Sequence, residues 1–309
     1  MDTQIIDIAD LDCIYLSYDE PKKEEFWIQI QNMVPWADRV DGVEGSDAAH
    51  KAAAALSNTE WFVLIDGDNL PDPEFFNLQL EIEPAFEGGA FRWKAKNTIN
   101  GLRYGNGGLS VWSRTFVNNM QTHEASDGSD DTAVEFCFDP KYIAMHNCYS
   151  TTYPNGTPKQ AWRAGFREGV KMCLDRGAKP TLIEFEKAVN NRNYDHLCIW
   201  QSVGMDVENG VWAIYGARLG TYMTMLEDWP YKRVQDFVEL EKLWESVKDN
   251  DPVEHNATLE TALTKRLGLP IVTLDAQQSK FFKHHYGATL RNAEVMTTEI
   301  SVIRKQEGW

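Results

Sequence analysis

No apolar run in this 309-residue chain approaches the roughly 20 residues needed to span a bilayer, so no membrane-spanning helix is expected. The opening Met1-Asp2-Thr3-Gln4 lacks the basic and apolar regions of a secretory signal. The five cysteines, at positions 13, 137, 148, 173 and 198, form no C-x-x-C pair. That spacing argues against a structural zinc site and for scattered reduced thiols, which predicts a cytoplasmic protein. Internal repeats and low-complexity tracts are also missing, which excludes solenoids and disordered tails. Positive charge is scarce: 30 Lys and Arg face 47 Asp and Glu, a formal net charge of −17. Broad non-specific binding to nucleic acid needs positive potential and is disfavoured, although a local basic groove is not. Arg163, Arg167 and Lys171 recur at helical spacing and form one basic stripe, with Arg176 and Lys179 following. Lys280, Lys283, His284, His285 and Arg291 make a second cluster.

What the chain does have is a globular composition, 43% apolar and 12% aromatic. Cys13 to Ser17 reads as a first strand, and Phe26, Ile30 and Met33 mark a helix closed by Pro35. Residues 39–43 read as a short strand, and Ser46-Asp47 opens an alanine-rich helix running to Leu56. Trp61 to Ile65, five consecutive apolar residues, suits a strand covered on both faces. This alternation predicts an α/β fold: a mostly parallel sheet with helices on both faces. Gly89–Lys94 and Leu109–Trp112 read as further strands around a glycine-rich loop, and Tyr142–His146 as strand or helix. From residue 156 onward helical periodicities dominate, over 158–176, 181–190, 209–226 and 231–248, with a break near Asp251-Pro252. The expected division is an α/β domain over 1–155 and a mainly helical region over 156–309.

The strand at Trp61–Ile65 runs directly into Asp66-Gly67-Asp68. Ligands of open α/β sheets sit beyond the carboxyl ends of their strands, so both carboxylates are placed for chemistry. Two hard oxygen donors there suit Mg²⁺ or Mn²⁺ carrying a phosphorylated substrate. The ends of the first two strands add Ser17, Asp19 and Glu20, and Asp41. Each has a duller reading, as a turn or strand-end signal. His50 and Lys51 stand one turn into the alanine-rich helix, as phosphate contacts or as an ordinary packed histidine and a solvated lysine. Trp93 and Tyr104 are candidates for stacking on a sugar. Trp200, Trp212 and Trp229 are core or acceptor platforms.

Four features in order resemble GT-A-type glycosyltransferases, the family-2-like enzymes most, and are similar to glycosyltransferase-like proteins of tailed phages. They are Asp66-Gly67-Asp68, the run Tyr104-Gly105-Asn106-Gly107-Gly108-Leu109-Ser110, the pair Asp130-Asp131, and His146. The resemblance covers about the first 170 residues. It implies a D-x-D motif holding metal and diphosphate, and a glycine-rich loop with Gly107 and Gly108 beneath donor and acceptor. It also implies Asp131 as general base beside Asp130, and His146 completing a metal shell of Asp66 and Asp68. Asp41 would accept the N–H of the nucleotide base. Apart from the resemblance, the stripe that Arg163 begins reads as a solvated charged face or as a phosphate-binding surface for the donor diphosphate or a polyanionic acceptor. Gln160-Ala161-Trp162-Arg163 departs from the Q-x-x-R-W segment of processive members, so no processive role is carried over.

The expected function is metal-dependent transfer of a sugar from a UDP- or GDP-sugar to an acceptor hydroxyl. A hydroxymethylated base in phage DNA, a surface glycan or a small molecule are the candidate acceptors, and a phage enzyme would work in the host cytoplasm. One alternative is a nucleotidyltransferase, although the glycine-rich basic loop of such enzymes is missing after the first strand. The other is a non-catalytic carbohydrate- or protein-binding relic of the same fold.

Overall fold

The computed structural model describes residues 2–120, 139–289 and 298–300. Asp130, Asp131, Cys137 and Arg291 lie outside the described residues. Two compact units divide the chain. The first comprises residues 1–96, 103–153 and 290–305, and the second 97–102, 154–289 and 306–309.

The first unit is α/β. Its strands, in chain order, are β1 (Gln4–Asp7), β2 (Asp12–Ser17), β3 (Asp38–Asp41), β4 (Trp61–Asp66), β5 (Asn69–Pro71), β6 (Gln79–Ile82), β7 (Ala90–Asn97), β8 (Arg103–Ser113), β9 (Tyr142–Thr152) and β10 (Thr298–Ile300). Seven of them form one sheet in the order β3-β2-β4-β8-β7-β9-β5, and β1-β6-β10 form a second, three-stranded sheet. β3–β2 and β2–β4 pair in parallel in the large sheet, and β4–β8, β8–β7 and β9–β5 are antiparallel. The expected mostly parallel sheet is thus a mixed one. A parallel neighbour requires a long crossover, whereas β7 and β8 are joined by the short turn 98–102, which returns the chain antiparallel.

Helices α1 (Lys23–Met33) and α2 (Ser46–Leu56) are the crossovers of the parallel part. Side-chain alternation along β4 explains why it reads as an unbroken apolar run. Trp61, Val63 and Ile65 join Phe26 and Ile30 of α1 in one core, while Phe62 and Leu64 join Ala53 and Ala54 of α2 in another. Helices do cover both faces here. Helix α3 (Arg114–Asn119) starts at Ser113, whose hydroxyl accepts the Phe116 N–H, and adds Phe116 and Val117 to the α2 side.

The second unit is helical: α4 (Pro158–Met172), α5 (Phe185–Ala188), α6 (Asn191–Trp200), α7 (Gly210–Met225), α8 (Phe237–Val247), α9 (Pro252–Leu267) and α10 (Ala276–Thr289). Thr157 caps α4 by accepting from Gln160 N at 3.1 Å, and Gln160 Oε1 accepts in return from Gly156 N at 2.9 Å. Asp251 caps α9, so the break near Pro252 is a helix start with proline at its first position. Helix α7 is apolar on nearly every side and accordingly buried. It lies against α4 at backbone distance. A Cβ added at Gly165 or Gly169 would meet the carbonyls of Ala213 or Ala217, and one at Gly216 or Gly220 those of Trp162 or Phe166. The small residues between the arginines of α4 therefore admit a helix. Trp200 is buried. Among the described residues no helix is long and apolar enough to cross a membrane.

Candidate active site

The three parallel strands deliver Ser17, Asp41 and Asp66 to one edge of the sheet, in register: Ser17 opposite Asp41 and Leu16 opposite Asp66. Asp66 ends β4, Gly67 turns, and Asp68 leads at once into β5, whose Asn69 pairs with Thr152 of β9. That return fixes Asp68 closely. Asn69 Nδ2 donates to its Oδ1 at 2.7 Å, Thr152 Oγ1 to its Oδ2 at 3.3 Å, and Tyr153 N to its backbone oxygen at 2.8 Å. Beneath the turn, the buried Tyr15 hydroxyl donates to Gly67 O at 2.8 Å. Above it lies the Glu20 carboxylate, in the space a side chain on residue 67 would fill. Glu20 is held there by accepting the Tyr18 N–H at 2.7 Å.

Three carboxylates, Glu20, Asp66 and Asp68, therefore crowd one turn. Removal from water, then the charges of Asp68 and Glu20, push the Asp66 carboxyl up to about 8. Asp68 is raised too, by the same removal from water and by Glu20, against the opposing pull of its hydrogen bonds from Asn69 and Thr152. Asp66 has no hydrogen-bond donor among the described residues. The register of β4 with β8 explains part of its openness. The pairing ends at Ile65 with Leu109, so Asp66 stands at the end of the β4–β8 ladder.

A second cluster sits beside the first. Asp41 Oδ1 accepts from Ser17 Oγ at 2.7 Å, Lys23 Nζ at 2.8 Å and Arg39 Nη2 at 3.1 Å. The Lys23 hydrogen bond leads in holding the Asp41 carboxyl below its usual range. All three contacts fall on Oδ1, and Oδ2 holds none among the described residues. Arg39 also grips Glu24 through two contacts of 2.8 Å, and its guanidinium lies over the rings of Tyr15 and Trp27. Tyr15 and Trp27 stack at 5.9 Å.

Several expected site residues of the first unit are not brought to these carboxylates. His146 is exposed on β9, six positions before Thr152, about 20 Å along the strand. The β9 residue touching Asp68 is Thr152. Gly107 and Gly108 belong to strand β8, not to a loop, at the irregularity where its register with β7 shifts. Asp19 is exposed at the turn. His50 Nδ1 lies 2.7 Å from Ser46 O, with its ring edge-on to Trp112, and Lys51 pairs with Asp47 one turn away at 2.6 Å. Both fit the duller reading. Trp93 is buried against Phe75 and offers no face to a sugar. Arg163 and Arg167, in the second unit, lie over the Phe237 ring at 5.3 and 5.4 Å. Lys283 of the second basic cluster pairs with Asp206 at 2.6 Å.

Sequence reasoning missed Tyr15, Lys23, Arg39, Asn69 and Thr152. The lysine and arginine carry a faint signal, since they flank the first crossover. The roles of Asn69 and Thr152 depend on a pairing 83 positions apart in register, which no local pattern reveals.

Among the described residues, no group of three or more His, Cys, Asp or Glu is arranged to hold a metal ion. Asp66 and Asp68 nonetheless offer hard oxygens, and a crowded, partnerless, protonated carboxylate is relieved when a cation replaces its proton. Magnesium-type ions are commonly held by one or two carboxylates, with substrate phosphates and water completing the shell. The pair fits that pattern.

No family model matches the chain, and no curated protein matches it. The solved structure of HddC from Yersinia pseudotuberculosis aligns with 50% of this chain and 78% of its own, at 17% identity and a TM-score of 0.27. A similarity at that level carries no argument about fold or function.

Proposed function

We propose that the chain is a metal-dependent glycosyltransferase of the GT-A kind, taking a UDP- or GDP-sugar with Mn²⁺ or Mg²⁺. The observation that carries this reading is the Asp66 carboxylate, crowded by Asp68 and Glu20 at the carboxyl end of β4, the last of the three parallel strands, with no donor among the described residues. A divalent ion bound there supplies charge neutralisation for a diphosphate leaving group. Asp66 gives up its proton to bind, while Asn69 and Thr152 hold Asp68 in one orientation. Asp41, fixed through Oδ1, keeps Oδ2 to accept the N–H of a nucleotide base, and Ser17, Lys23 and Arg39 lock it in place. The general base, Asp131 by the resemblance, lies outside the described residues.

Thermal unfolding with UDP, GDP and CDP, with and without Mn²⁺, tests the reading. A ligand at 100 times its Kd stabilises by about 2.7 kcal/mol. The expected result is a nucleotide-dependent rise that requires Mn²⁺ and disappears in Asp68→Ala. A rise that survives Asp68→Ala removes the metal assignment. Incubation with nucleotide sugars should then release nucleoside diphosphate, whereas pyrophosphate would mean nucleotidyl transfer, and binding without any release would mean a relic.

A further inference from the structure

Tyr15 belongs to both halves of the site. It stands in β2 in register with Arg39 of β3 on one side and Ile65 of β4 on the other. Its ring is fully buried in the α1-side core, 5.9 Å from the Trp27 ring and within 8° of parallel to it. The Arg39 guanidinium lies 5.7 Å from the ring centre, and the same arginine donates to Ser17 Oγ at 2.9 Å and to Asp41 Oδ1 at 3.1 Å. The hydroxyl goes elsewhere. It crosses 52 positions of sequence to donate to Gly67 O, the carbonyl between Asp66 and Asp68, and makes no other hydrogen bond among the described residues. Phenylalanine would serve the ring contacts as well, so the Gly67 carbonyl alone uses the hydroxyl.

We propose that Tyr15 is a positioning residue whose hydroxyl holds the Asp66-Gly67-Asp68 turn in the geometry that lets both carboxylates meet one divalent ion. Its ring ties that turn to the Arg39–Asp41 cluster. The proposal rests on the metal reading above. A glycine supplies no restraint of its own, since its backbone is the least confined of any residue. The peptide after it is planar and trans, so a fixed Gly67 carbonyl fixes the plane from which Asp68 departs. Asn69 and Thr152 orient the Asp68 carboxylate, while Tyr15 holds the backbone between the two acids through Gly67 O. Groups standing one contact behind the ligands of a metal set its affinity by about 10–100-fold. Ring and hydroxyl form one rigid group, so a change at Trp27, on the half-buried side of α1, should reach the turn through Tyr15.

The test follows Mn²⁺ binding to the full chain, without nucleotide, by loss of the free-ion electron paramagnetic resonance signal. Tyr15→Phe should keep a cooperative thermal transition and bind Mn²⁺ at least about 10-fold more weakly. Ile30→Val trims the same core away from the turn. It should lower Tm and leave the Mn²⁺ affinity unchanged, whereas a general loosening of the core would weaken binding in both variants. Trp27→Leu removes the stacked ring and should weaken Mn²⁺ binding about 3-fold in the parent, with no further loss in Tyr15→Phe. Equal affinity in the parent and Tyr15→Phe, or an equal loss in Ile30→Val, overturns the proposal and leaves the metal reading standing. If Tyr15→Phe fails to fold, Trp27→Leu decides, and an unchanged Mn²⁺ affinity there overturns the proposal. A parent that binds no Mn²⁺, or that binds it as well after Asp68→Ala, overturns the metal reading and the proposal together.

Discussion

Replacing Asp66 with asparagine isolates the feature on which the site reading rests. In the folded chain the Asp66 carboxyl holds its proton to about pH 8, whereas an ordinary aspartate releases it near 3.8. Between those values the native state binds one more proton than the unfolded state. Stability therefore falls as pH rises, by up to about 1.4 kcal/mol per pH unit. Below pH 3.8 both states are protonated and the penalty vanishes; above pH 8 it is complete. The whole interval corresponds to about 6 kcal/mol, and because Asp66 keeps some contact with solvent, about 2–3 kcal/mol is the working expectation. Asparagine is a neutral mimic of the protonated carboxyl. Asp66→Asn should match the parent at pH 4 and exceed it by about 2–3 kcal/mol at pH 8.5, roughly 5–10 °C in Tm. Paired calorimetric scans over pH 4–9 measure the difference, which cancels the opposing contributions of Asp41 and Glu24, whose carboxyls are lowered. Manganese should stabilise the parent more at pH 8.5 than at pH 5.5, where protons compete for the site, and should leave Asp66→Asn unaffected. A constant difference across pH would show that Asp66 is an ordinary solvated aspartate, and the argument from crowding would collapse.

The α4–α7 contact makes a paired prediction. Gly169→Ala and Gly287→Ala gain the same helix propensity, about 1 kcal/mol. At Gly169, however, the new methyl group meets the Ala217 carbonyl, while Gly287 has open space. Chemical denaturation should find Gly169→Ala less stable by about 1–3 kcal/mol and Gly287→Ala more stable by a few tenths to about 1 kcal/mol; equal effects would mean the helices are not in backbone contact. The fully buried Arg218 donates to Gln201 O and Asn256 O, each at 2.9 Å, and pairs with Glu260 at 2.9 Å. Burial still brings its guanidinium down to about 10. Glu260→Gln should cost about 2–4 kcal/mol in urea unfolding near neutral pH, and a loss under about 0.5 kcal/mol would refute a desolvated pair.

Sequence patterns exposed what depends on local periodicity. The Trp61–Ile65 run, the Phe26/Ile30 spacing and the alanine-rich helix each fell where expected, because each faces a core on a fixed period. The carboxylate turn was visible for the same reason: it ends the most apolar strand. What stayed hidden depends on partners distant in sequence. The glycines of β8 look like a loop by propensity, yet they lie within a strand whose flanking residues pair with β7 and β4, and Gly105 itself pairs with Lys94. There the Arg92 guanidinium fills the space a side chain on Gly105 would take. His146 was placed by order along the chain, and order says nothing of distance once a strand runs straight. The arginines of α4 show the same limit, since their spacing gives a stripe but not the Phe237 ring beneath it. Likewise 181–190, expected as a helix, forms only Phe185–Ala188.

The small sheet carries a consequence for how the chain comes into being. Its middle strand, β6, is flanked by β1 from the very start of the sequence and by β10 from close to residue 300. On a ribosome that emits one residue at a time, β1 can zip onto β6 early, but the other edge stays bare until the stretch 83–297 between β6 and β10 has been synthesised. The helices of the second unit, by contrast, are all in sequence by residue 289. The part begun first is therefore the part sealed last, and during that wait an open strand edge is exposed to whatever else is nascent nearby.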